Sequence, residues 1–210
     1  MYSLAEERLN IASHAVGLLF SGVGLILLLL TALPFHDLTY ALSVAVFGIS
    51  LIILYGASTL YHSAKDPVIR KRWRTVDHAA IYVLIAGTYT PFTLVTLAGP
   101  VGTTLFAVCW GMAAVGIFIK VFVTTARFKI VSTAMYVFMG WIIVFAWQPL
   151  VAALSGPGLA WLIAGGIAYT LGAVIYIIRL PYAHSIFHVF VLGGSYCHFV
   201  AVYRHLLPNH

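Results

Sequence analysis

Along the chain, apolar residues run in long stretches separated by short polar breaks. An α-helix rises about 1.5 Å per residue and the hydrocarbon layer of a bilayer is about 30 Å thick, so roughly 20 mostly apolar residues make one span. Seven stretches meet that length: Ile11 to Leu33, Tyr40 to His62, Val76 to Leu97, Val101 to Phe122, Val131 to Val151, Gly158 to Ile178 and His184 to Leu206. The breaks carry turn chemistry, at Pro34 to Asp37, Lys65 to Arg74 with Pro67, Gly99-Pro100, Thr124 to Lys129, Ser155 to Gly158 and Leu180-Pro181. None is long enough to hold a soluble domain. The expectation is therefore all-α: one transmembrane bundle of seven helices over residues 1–210. The first stretch lacks a small-residue cleavage pattern and reads as a retained helix. No internal repeat points to an inverted-repeat transporter.

Composition strengthens this picture. The 210 residues are 62% hydrophobic and only 8% charged, with a mean hydropathy of +1.04, whereas a soluble domain carries about a quarter charged residues. That excludes a water-soluble enzyme, a nucleic-acid-binding domain and a disordered tail. Cys109 and Cys197 both fall inside spans and read as small hydrophobes, so neither a disulfide framework nor a thiolate metal site is expected.

The formal charge of +6 reads as topology, with no nucleic-acid partner, because the basic residues sit in short loops. Arg8, Lys65, Arg70, Lys71, Arg72, Arg74, Arg127, Lys129 and Arg179 fall on one side and Arg204 alone on the other. The positive-inside rule then puts the N-terminus in the cytoplasm and the C-terminus outside. Lys120 lies near enough to the cytoplasmic end of its span to snorkel.

An ionisable side chain inside a span is costly enough to be a functional hypothesis by itself. Topology brings four such groups to one depth: His62 ends the second span, Asp77 begins the third, and His184 and His188 open the seventh. At helical rise they lie roughly 5 to 10 Å inside the charged rim. His184 and His188, at i and i+4, share a helix face and suit one metal ion; Ser58 and His62 repeat that spacing. Three neutral imidazoles and an oxygen position form a tetrahedral set that Zn²⁺ prefers, whereas Mg²⁺ and Ca²⁺ want more carboxylates. Zinc on three histidines keeps a place for a water of pKa about 7, the arrangement of a hydrolytic site.

Plainer readings stand beside these. Asp77, in the first turn of the third helix, would favour the positive helix end, and as a site residue it would be the hydrogen-bond partner of a reacting water. Ser58 reads equally as a site hydroxyl and as a donor to its own i−4 carbonyl. His78 is turned about 100° from Asp77 and is expected among headgroups. His14 reads as a packing hydrogen bond or a support for the metal ligands, His198 as an interhelical hydrogen bond or the wall of a polar cavity below the metal, and His36, His205 and His210 as solvated. Thr88, Tyr89, Thr90 and Pro91 suggest a kink mended by hydroxyls. Gly165-Gly166 and Gly193-Gly194-Ser195 read as close helix packing rather than a phosphate loop.

At these residues the sequence resembles the bacterial hemolysin III family, related to the progestin and adiponectin receptors. The resemblance runs through Ser3-Leu4-Ala5-Glu6-Glu7 with Ser13-His14 and Gly17, then Ala57 to His62. It continues through Asp77 to Tyr82, Gly87 to Phe92, His184-Ser185-Ile186-Phe187-His188 and Cys197-His198-Phe199. It implies a seven-helix fold with zinc held at His62, His184 and His188, Asp77 in contact directly or through water, and Ser58 beside the metal. The wider superfamily includes alkaline ceramidases, zinc amide hydrolases that act on lipids. For the bacterial branch the implied role is membrane fluidity homeostasis at the inner membrane.

Three functions follow as expectations. The first is a zinc-dependent hydrolase of a membrane lipid amide or ester, with Asp77 and Ser58 as the catalytic pair. The second is a non-enzymatic regulator or lipid receptor in which zinc is structural. The third, a cytolytic pore, has the least behind it, since no span carries a regular polar stripe.

Overall fold

The computed structural model describes residues 3–122, 128–178 and 180–206. Arg127, Arg179 and His210 lie outside the described residues. Eight α-helices follow in order: α1 (Leu4–Ala32), α2 (Leu38–Ser63), α3 (Pro67–Pro91), α4 (Pro100–Phe122), α5 (Phe128–Trp141), α6 (Trp147–Ala153), α7 (Gly156–Ile177) and α8 (Ala183–His205). A 3₁₀ segment, Ile142–Ala146, joins α5 to α6, so those pieces make one span and seven stretches are long and apolar enough to cross a membrane.

Local chemistry sets the helix starts. Ser3 accepts from Glu6 N–H, Asp37 from Tyr40 N–H and Ser155 from Gly158 N–H, each capping a helix N-terminus. Asp66 accepts from the N–H groups of both Val68 and Ile69 at 2.9 Å, with Pro67 next in line. Pro in the first turn is preorganised for a helix. This corrects the expected break: Lys71 to Arg74 form the opening turns of α3, which begins nine residues before Val76. Asp77 therefore stands about three turns into the helix, beyond the reach of the helix-end dipole. α1 likewise starts at Leu4, ahead of Ile11.

The helices close a ring in which α1 packs on α2 and α8, α2 on α3, α3 on α4, α5 on α3, α4 and α7, and α7 on α8. Buried hydroxyls tie it together. Tyr55 donates to Ser195 at 2.7 Å, Tyr169 lies 2.8 Å from the same hydroxyl, and Ser185 donates to Asn10 Oδ1 at 2.7 Å. Leu19, Phe20, Phe118 and Phe145 point outward, as expected where the solvent is hydrocarbon.

After Pro91 the chain winds as a π-helix over Phe92–Thr96, a form that relieves a proline-broken ladder. Thr88, Thr90 and Thr93 do bond back to the carbonyls of Leu84, Ala86 and Tyr89. Tyr89 acts elsewhere: its hydroxyl donates to Gly140 O and accepts from Ile143 N–H, both at 3.0 Å, and so bridges the interruption after α5. Close packing holds for Gly194, where a Cβ would sit 2.9 Å from the Tyr169 ring, and for Gly165, where it would run into His198; Gly193 meets nothing within 4 Å.

Candidate metal centre

The end of the bundle that carries the start of α1 also carries the end of α2 and the starts of α3 and α8. There His62, His184 and His188, all buried, bring one nitrogen each to within 4.8 Å of one another. His184 Nε2 lies 3.1 Å from His62 Nε2 and 3.1 Å from His188 Nε2. Imidazoles bound to zinc at about 2.0–2.1 Å in a tetrahedron have nitrogens about 3.3 Å apart, so the spacing suits a shared ion.

The outer faces of two rings set which nitrogen of each carries the hydrogen. Glu7 Oε2 lies 2.7 Å from His62 Nδ1, and an ionised carboxylate only accepts, so His62 carries its hydrogen on Nδ1. Ser13 spends its hydroxyl hydrogen on Asn10 O, so its oxygen accepts from His188 Nδ1, 3.2 Å away. Both Nε2 atoms then present lone pairs to His184 Nε2. A single hydrogen on His184 can serve one of them, whereas one cation serves all three; the donor set fits a borderline metal such as zinc.

Glu7 was not singled out as a site residue in the sequence. It also pairs with Arg70, which reaches the carbonyls of His62 and Ala64 and lies 4.9 Å from the Tyr61 ring centroid. A signal was present in α1: Glu7, Asn10, His14, Gly17, Ser21 and Gly24 recur at steps of three and four and mark one polar or small face. At the start of α8, Tyr182 takes a left-handed conformation (φ 57°) two residues before His184, a costly choice for a non-glycine residue.

His184 and His188 open onto a cavity of about 570 Å³ that Asp77, Ser58, His14 and His198 also line. Among the described residues the metal-capable group holds three histidines and no carboxylate. Asp77 is on the cavity wall, its Oδ2 3.3 Å from His78 Nδ1. Ser58 is buried and its Oγ has no hydrogen-bond partner among the described residues, so the expected alternative of an i−4 bond is not made. His14 makes no packing hydrogen bond either; its ring stacks on His188 at 3.5 Å between centroids. His198 does bond across helices, to Leu162 O at 3.2 Å.

Three expectations need correction. His78 does not turn to headgroups: it lines the cavity, 3.5 Å from Tyr176 Oη, because α7 faces that side of α3. Lys120 borders the cavity and donates to Ser132 at 3.4 Å instead of snorkelling. His205 is half-buried against Ser155 Oγ at 3.1 Å, while His36 is exposed as expected. Both cysteines are free thiols.

Comparison with known proteins places this architecture. The Haemolysin-III related family matches residues 2–199. The chain belongs to that family. This haemolysin-III-related chain is 44% identical to Hemolysin-3 of Bacillus cereus over 205 residues, covering 97% of this chain and 93% of that protein. It is 42% identical to the Hemolysin-3 homolog of Bacillus subtilis (strain 168) over 203 residues, 96% and 95% of the two chains. Identity to the human Monocyte to macrophage differentiation factor is 30% over 171 residues, 77% of this chain and 69% of that one. The haemolysin-III-related chain is an integral, multi-pass membrane protein.

Proposed function

We propose that this protein is a zinc-dependent hydrolase of a membrane lipid amide or ester, set in a bacterial inner membrane and taking part in membrane fluidity homeostasis. The observation that carries the reading is that two of the three clustered histidines, His184 and His188, open onto a cavity of about 570 Å³ that Asp77 and Ser58 also line. A zinc ion at His62, His184 and His188 would supply a Lewis acid and an acidified water. Glu7 and Ser13 orient two of the three rings. Asp77 takes the proton of the attacking water on its carboxylate. Ser58, whose hydroxyl has no other partner, donates to the carbonyl oxygen as charge develops there.

Three protein ligands with open space beyond them support a reacting site over a closed structural one, which would take a fourth side chain. In this reading the site's end of the bundle faces the cytoplasm, since Arg8, Lys65, Arg70, Lys71, Arg72 and Arg74 collect there and Arg204 stands alone at the other end. The test is Asp77→Asn in purified protein, assayed for bound zinc and for turnover of chain-matched lipid amides and esters. Zinc is retained and turnover falls about 10²- to 10⁴-fold, the usual weight of a general base; turnover at the parent rate overturns the proposal.

A further inference from the structure

The cavity has a second chemical character at its mouth. Lys71 and Arg74 in the opening turns of α3 and Lys120 near the end of α4 all line it. None of the three forms an ion pair among the described residues. Arg70, one position before Lys71, differs: its charge is committed to Glu7. Arg72 is exposed, as Lys71 and Arg74 are, but unlike them it does not border the cavity. Three cations therefore border the cavity without a carboxylate of their own among the described residues; Lys71 and Arg74 are exposed at its mouth, and Lys120 is half-buried and donates to Ser132.

Asp77, one turn deeper than Arg74, is the only acidic side chain on the cavity wall among the described residues. At the rim itself an anion meets three cations and no carboxylate. Below the rim the wall turns apolar, with Ile81, Leu84, Ile85, Val137 and Val191. A cationic ring above an apolar wall matches an amphiphile whose head is anionic and whose body is hydrocarbon.

We propose that the cavity binds an acidic lipid, its phosphate or carboxylate head held between Lys71, Arg74 and Lys120 and its apolar part directed inward. This deepens the reading of the cavity as a lipid site, and the apolar wall selects a lipid over a free anion. Positive charge at a membrane surface attracts acidic lipids generally, at about 1 kcal/mol per Lys or Arg. The specific claim is that the three cations bordering the cavity outweigh one beside them that does not border it.

Native mass spectrometry of the delipidated full-length protein measures the first binding constant for dioleoyl phosphatidylglycerol, with dioleoyl phosphatidylcholine and glycerol phosphate as comparison arms. Phosphatidylglycerol binds tightest. Lys120→Gln and Arg74→Gln each weaken it about five- to tenfold, Lys120→Arg restores it, and Arg72→Gln changes it less than twofold. Melting temperatures confirm that the variants are folded, and Arg74→Gln serves if Lys120→Gln does not fold. Equal losses in Arg72→Gln and Arg74→Gln, or equal binding of phosphatidylcholine, overturn the proposal. Displacement by glycerol phosphate at lipid-like concentrations overturns it in favour of a soluble anion. Because binding is read without turnover, a protein that retains the acidic lipid but hydrolyses nothing refutes the hydrolase reading alone. One that hydrolyses a neutral lipid without preferring the acidic one refutes this inference alone.

Discussion

Replacing Glu7 tests whether the histidine cluster is held for a metal. Its carboxylate receives the His62 Nδ1 hydrogen at 2.7 Å, and its side chain is only 17% exposed. Hydrogen bonds to charged groups contribute about 1.5–3 kcal/mol; residual exposure and the competing Arg70 pair place this one near the lower end, about 1.5–2 kcal/mol. At about 1.4 kcal/mol per decade, Glu7→Ala weakens zinc binding about 10- to 30-fold, within the range of about 10–100-fold usual for partners of ligating histidines. The assay is competition against a chromophoric chelator with purified protein in detergent. Glu6→Ala is the control: it removes the same charge one residue away, and its affinity stays within about twofold. Unchanged affinity in a folded Glu7→Ala protein, or an equal loss in Glu6→Ala, refutes the idea that Glu7 orients a metal ligand.

Ser58→Ala removes no hydrogen bond from the fold, so its unfolding free energy stays within about 0.5 kcal/mol of the parent while lipid turnover falls about 10²-fold; a large drop in melting temperature would make the residue structural. Tyr89→Phe loses both contacts across the interruption after α5 and costs about 1–3 kcal/mol, read from thermal unfolding. Gly165→Ala drives a methyl group into the His198 ring, which is fixed by its bond to Leu162 O, and destabilises by about 1–3 kcal/mol on the same measurement.

The seven spans were legible because hydropathy over about 20 residues is set by the bilayer itself. The His-x-x-x-His pair and His62 were legible because helical spacing and alternating direction fix face and end. Windowed hydropathy concealed the start of α3: its first turns are charged, although Asp66-Pro67 is a helix-start signal in its own right. The same averaging passed over Glu7, which shows only when α1 is read by face. The interruption at Ile142–Ala146 carries no proline or glycine. Pro149, which has no N–H for the Phe145 carbonyl, is a local signal just beyond it, whereas the bond from Ile143 N–H to the hydroxyl of Tyr89, more than 50 residues earlier, has no local trace. His78 was misplaced because a single helix wheel does not say that the adjoining face looks onto a cavity with Tyr176 of α7 on its far side.

The nitrogen cluster draws on the second and the last long helices, with His62 and His184 separated by 122 positions along the chain. During synthesis the first imidazole is in the bilayer well before the other two have left the ribosome. Capture of an ion is then among the last events of biogenesis, possible only once α8 has inserted against α1 and α2. A chain stalled ahead of α8 keeps a lone imidazole and retains no metal, so metal content doubles as a readout of completed insertion.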